Sequence, residues 1–222
     1  MLLAPVESMQ VDTENVAKTI GTRVIALVPR QAVRSNGPGW AITQLIDNSA
    51  MLYLKCTGIV QKALGLPKTL LADAEPTSAP LGNWYVNRFD VGRRKAHVFM
   101  SETTLLSFIL LQGKTPVTPE TLPAMMLAGL TQLLQMRGMS EDAIERAMVH
   151  YHDGLFARTD SRADLGSLND LAQRYQWMIE CDGGLDRCDL TRIIMGTNNM
   201  PQRRLGWCSS WDMTQSKLQL LS

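Results

Sequence analysis

This sequence has almost no net charge, no cofactor loop and no apolar run of membrane length. Its 22 lysines and arginines stand against 21 aspartates and glutamates, a formal charge of +1. Such a balance supplies no overall field to draw in nucleic acid or an anionic membrane, so binding of that kind needs a local patch. Neither GxGxxG nor a Walker loop occurs, which excludes the common nucleotide cradles. The absence of GxSxG excludes the hydrolase elbow. No apolar run approaches the roughly 18–20 residues that span a bilayer. The opening MLLAPVESMQ lacks a basic stretch and a long apolar core, so no secretory signal is read there. The four cysteines, Cys56, Cys181, Cys188 and Cys208, form no CxxC pair. That spacing matches no structural zinc pattern. The expectation is reduced thiols in a cytoplasmic protein without cofactor, metal or membrane partner. No internal repeat or low-complexity tract is present.

What is present begins with an apolar content of 45%, enough for a real core. The densest strand-forming stretch runs from Gly82 to Leu110, where aromatic and β-branched residues favour a pleated surface. It divides into strands over Asn83–Asp90, Arg94–Met100 and Thr104–Leu110. Val91-Gly92 serves as a two-residue hairpin loop, because Gly92 tolerates a positive φ. That register sets Trp84 against Phe99, Tyr85 against Val98 and Val86 against His97. It also sets Arg88 against Lys95, a like-charge conflict. Met51–Cys56 reads as a further strand, and Thr57 as the cap of a helix over Gly58–Leu66.

Helical spacing follows. Thr118-Pro119 starts a helix stopped by Gly138, with Leu122, Met126, Leu130, Leu133 and Leu134 on one side. Ser140 caps a second, running to about His152, and Ser167 starts a third bearing Leu168, Leu171, Tyr175 and Ile179. A fourth runs from about Asp186 to Met195. The 13 methionines fit adaptable core packing. These elements predict an α+β domain over residues 51–222, a small antiparallel sheet covered by about four helices. Residues 1–50 read as an extension, with a helix from Asp12, a strand over Thr22–Val28, a turn-rich linker over Pro29–Gly39 and a short helix over Trp40–Ile46.

Two polar clusters are the candidate sites. Arg93-Arg94-Lys95 is a basic corner at the hairpin, and arginine's planar fork suits phosphate or carboxylate. Arg158, Asp160, Arg162 and Asp164 lead into Gly166-Ser167-Leu168-Asn169-Asp170. Simple explanations serve for both: a solvated hairpin corner, and a loop whose Asp164 or Ser167 caps the next helix. His150 and His152 are two apart and point to different sides of a helix, which argues against a metal pair. His97 reads as a packed strand histidine before it reads as a base. Asp182, Asp186 and Asp189 surround a glycine turn without the EF-hand spacing.

Taken together, several short motifs resemble an uncharacterised bacterial family of domains of unknown function. They are Cys56-Thr57, Leu81-Gly82-Asn83-Trp84 with Asn87, Arg93-Arg94-Lys95, Val98-Phe99, Thr104-Leu105-Leu106-Ser107-Phe108, Arg162 and Gly166-Ser167-Leu168-Asn169-Asp170. Related modules occur in plasmid and insertion-element passenger proteins. The resemblance covers about residues 51–200, and it implies an intracellular α+β fold and no established activity or catalytic residue.

The leading expectation is therefore a non-catalytic module that binds nucleic acid or a protein partner. The candidate ligand-binding residues are Trp84, Asn87, Arg93, Arg94, Lys95, Arg162 and Asn169. One alternative is an enzyme on a small anionic substrate, with the arginines as clamp and Asn169 beside an acid or His97. Another is a subunit pairing through its Met-rich helices. The enzyme alternative requires the two clusters to meet in one cleft.

Overall fold

Five strands form one sheet in the order β4-β3-β2-β1-β5 in the computed structural model, which describes residues 51–151 and 153–219. The expectations placed on residues 1–50 and on His152 lie outside the described residues. In chain order the elements are β1 (Met51–Cys56), α1 (Gly58–Leu64), β2 (Trp84–Val91), β3 (Arg94–Ser101), β4 (Ser107–Leu111), α2 (Thr121–Met136), α3 (Glu141–Met148), β5 (Asp153–Ala157), α4 (Arg162–Cys181), α5 (Leu190–Asn199) and α6 (Ser210–Gln219). No described helix is long and apolar enough to cross a membrane.

The sheet is mixed, which corrects the expected antiparallel one. β2, β3 and β4 form the antiparallel meander, but β1 runs parallel to both β2 and β5. Parallel neighbours need a crossover connection, and here α1 with the loop after it carries the chain from β1 to β2. β5 was not foreseen. It is five residues long and contains only Leu155 and Phe156 as large apolar residues. Its pairing with β1 is made across a hundred residues of chain, beyond the reach of local pattern. Its outer side is covered at Ala72, whose N–H donates to the Phe156 carbonyl at 2.8 Å.

The hairpin register is displaced by two residues from the expected one. Trp84 faces Ser101, Val86 faces Phe99, Arg88 faces His97 and Asp90 faces Lys95, so the loop is Gly92-Arg93. Gly92, at φ 58°, takes the first loop position. A shift of two keeps every side chain on its expected face. It also removes the Arg88–Lys95 conflict and lets Lys95 reach Asp90 at 3.7 Å.

Alternation along the strands divides the core in two. Trp84, Phe99 and Phe108 share one face, with Phe108 stacked on Phe99 at 5.1 Å and edge-on to Trp84 at 5.8 Å. α2 packs here, close enough that a Cβ on Gly129 would lie 2.6 Å from the Phe108 ring. Tyr85, Asn87, Met100 and Ser107 occupy the other face under α4 and α5, where Tyr175 meets Ser107 at 2.9 Å.

Six described helices cover the sheet, against about four expected. α4 begins at Arg162, not Ser167, because Ser161 accepts from the Asp164 N–H at 3.1 Å. The polar stretch expected to be a loop is therefore the first turn of a 20-residue helix. α3 ends at Met148 instead of near His152, freeing the chain for β5. α6 was not foreseen. It buries Trp211, Thr214 and Leu218, a stripe too sparse to stand out among polar residues.

Candidate functional site

Two polar groups sit on one face of the sheet, the first where β1 and β5 end and α4 begins, the second further along β2 and α4. Outside the carboxyl ends of adjacent parallel strands is where open α/β sheets usually place ligands. The deeper group centres on Lys55. Period-two alternation turns it to the same face as Tyr53 and Tyr85, and it is only 2% exposed. Its Nζ donates to Glu102 Oε1 at 2.9 Å and to Asp160 Oδ2 at 2.8 Å, and lies 5.1 Å from the centre of the Tyr85 ring. Tyr85 donates its hydroxyl to Asp160 Oδ1 at 2.5 Å. Arg204 closes the outer side, 2.6 Å from Asp164 Oδ1 and donating to Ser167 Oγ at 3.0 Å.

Burial opposes the charge on Lys55, but hydrogen bonds to Asp160 and Glu102 outweigh it and hold its pKa above the usual lysine value. Burial likewise opposes ionisation of Asp160, and the bonds from Lys55 and Tyr85 prevail to keep its carboxyl below the usual aspartate value. Burial and then Asp160 push the Tyr85 phenol well above its ordinary value. A nucleophilic or basic lysine needs a lowered pKa, and this one is shifted the other way. The group acts as a clamp: one ammonium ties the end of β1 to the β3–β4 turn through Glu102 and to the approach to α4 through Asp160.

The second group opens to solvent. Asn87 lies on the Lys55 face one step further along the sheet. Its Oδ1 accepts from Thr57 Oγ1 and from the Arg88 N–H, both at 2.8 Å, and its Nδ2 donates to Asn169 Oδ1 at 3.1 Å. Thr57 does not cap α1 with its side chain; its hydroxyl donates instead to Asn87. Around this junction α1, β2 and α4 enclose a cleft of about 430 Å³. Arg88, Gln173 and Gln176 supply donors, Asp90 a carboxylate, and Ile59 and Phe89 apolar surface.

The fold and these residues can now be set beside known families. Residues 53–213 match the family described as Domain of unknown function (DUF6933). The chain belongs to that family. None of the curated proteins matches it. The DUF6933 match runs from within β1 into α6, so it takes in β2 to β5, most of β1 and both polar groups. It covers the interval on which the resemblance was read and extends it towards the carboxyl end.

Within the DUF6933 domain the predicted site residues separate. Asn87 and Asn169 meet in the cleft. Trp84 is fully buried, its indole N–H donating to the Tyr151 hydroxyl at 3.1 Å, and that hydroxyl donating to the Gly82 carbonyl at 2.9 Å. It is a core residue. Arg93 and Lys95 are exposed and Arg94 half-buried at the hairpin tip, and none of the three lines the cleft. Arg162 is exposed in the first turn of α4. His97 points to the Trp84 face while Asn169 meets the Asn87 face, so the sheet stands between the two. Among the described residues no cluster of His, Cys, Asp or Glu has the makings of a metal site.

Sequence reading passed over Lys55, Tyr85, Glu102 and Arg204. The signal for Lys55 was there: a lysine at an inward position of an otherwise apolar strand requires buried counter-charges. Nothing local indicates which carboxylates supply them.

Proposed function

We propose that this DUF6933 protein is a non-catalytic module that binds single-stranded nucleic acid along the β2–β3 arm and the cleft beside it. The observation that carries the reading is the Asn87–Asn169 hydrogen bond. It sets an amide-lined cleft against an arm whose tip carries exposed Arg93 and Lys95 and half-buried Arg94. Arginines along the arm suit phosphates, and Phe89 with the amides of Asn169 and Gln173 suits bases presented in the cleft. The small-anion enzyme is disfavoured: His97 and Asn169 lie across the sheet from each other, and Lys55 is locked as a cation. Free thiols at all four cysteines suit a reducing compartment, and we place the protein in the cytoplasm. Carriage on plasmids or insertion elements is part of the same proposal and rests on the sequence resemblance.

The test is fluorescence anisotropy with a labelled single-stranded oligonucleotide across a salt series. Binding should weaken steeply with salt. The Arg93→Ala/Arg94→Ala double variant should flatten the log–log slope by about 1.4, or about 0.7 per lost phosphate contact. Asn169→Ala should weaken binding without changing the slope. Absence of saturable binding, or an unchanged slope in the double variant, refutes the proposal and leaves a protein partner as the subject of study.

A further inference from the structure

A second concavity lies on other elements and shares no lining residue with the first. It is a cleft of about 430 Å³ between the end of α2, the start of α3 and α6. Two guanidinium groups line it, Arg137 and Arg146, and no carboxylate does so among the described residues. Two N–H donors on these lining residues are buried without a hydrogen-bond partner: Arg146 Nε and the indole Nε1 of Trp211, a residue only 2% exposed. A buried donor left unpaired costs about 1–3 kcal/mol, and folded proteins rarely leave two in one place. Arg137 lies over the Trp211 ring, its Cζ 5.2 Å from the ring centre. Asp212, just outside the lining, accepts from the hydroxyl and N–H of Ser209 and also feels the charge of Arg137.

Two cations, two unpaired buried donors and no lining acid describe a site built to receive acceptors. We propose that this cleft binds a small oxyanion, the phosphate or carboxylate group of a ligand. The Nε edge of Arg146 and the Trp211 indole donate to its oxygens, and Arg137 supplies the second charge. Arg146 is suited to a two-point contact, because the Nε and Nη donors of one edge run parallel. Gln215 extends the donor set, while Met139 and Leu218 offer apolar surface to whatever carries the anion.

The experiment uses the full ¹⁵N-labelled chain and reads the indole N–H resonance of Trp211, assigned through its own ring correlations. Sodium phosphate and sodium acetate are titrated separately at constant ionic strength set with sodium chloride. A saturable shift with phosphate alone identifies a phosphate site, with acetate alone a carboxylate site, and with both a general oxyanion site. Arg146→Lys keeps the charge but lacks the Nε donor, and Arg137→Gln removes the second charge. Each should weaken the responding anion by at least about tenfold, the scale of one charge-assisted hydrogen bond. No saturable shift with either anion in the wild-type chain overturns the proposal. Equal affinity in the wild type and both variants overturns it as well.

Discussion

His97 should make this domain acid-sensitive over a defined pH window. Its side chain is 0% exposed, opposite Arg88 on one side and Leu110 on the other, and neither ring nitrogen has a hydrogen-bond partner. Burial, and then the positive charge of Arg88, bring its pKa down from 6.5 to about 4. The unfolded chain therefore takes up a proton near pH 6.5 that the folded chain refuses until about pH 4. Between those values acid favours unfolding by about 1.4 kcal/mol per pH unit, or about 3 kcal/mol across the window. His97→Leu removes the titrating group and leaves an apolar side chain between Arg88 and Leu110. Urea unfolding of both proteins, followed by tryptophan fluorescence from pH 4.5 to 7.5, gives the stability difference at each pH. That difference should shift in favour of the variant by about 2 kcal/mol between pH 7 and pH 5. His150, His152 and the carboxylates are common to both chains and cancel. A difference that stays constant with pH refutes the reasoning, because it would mean that His97 protonates equally easily in both states.

Asp160→Asn takes one of two carboxylates from the buried Lys55 and should cost about 1–2 kcal/mol at pH 7, solvent screening of the half-exposed Asp160 keeping it low. Because Asp160 is held below its ordinary 3.8, the gap from the wild type should persist above that pH and close as acid protonates Asp160. A gap unchanged at pH 2.5 would contradict the assignment. Gly129→Ala should lower the urea midpoint although alanine favours helix by about 1 kcal/mol. The added Cβ lies 2.6 Å from a Phe108 ring held by Phe99 and Trp84, and overpacking of that kind costs about 1–3 kcal/mol. A higher midpoint would show that the ring gives way.

Local signals carried much of the fold into the sequence. β1, the meander and the apolar stripes of α2 and α4 were legible because strand propensity, capping residues and 3.6-residue spacing act within about ten residues. The two polar stretches were legible as well, and Asn87 with Asn169 was among the residues picked out. The sequence did not determine how distant pieces join. Lys55 meets Asp160 across 105 residues, and Asn87 meets Asn169 across 82. β5 is a strand because β1 offers it an edge, and a five-residue segment with few apolar side chains carries no pattern of its own. The same holds for function. Arg93, Arg94 and Lys95 announce themselves in sequence, yet packing alone decided that they stand at the tip of an arm, outside the lining of the cleft beside it. Tertiary structure also sealed His97 in the core, locked Lys55 as a cation, and gathered Arg137, Arg146 and Trp211 around one cleft. Side-chain identity fixes which chemistry is available, whereas burial and long-range contact fix which of it can be used.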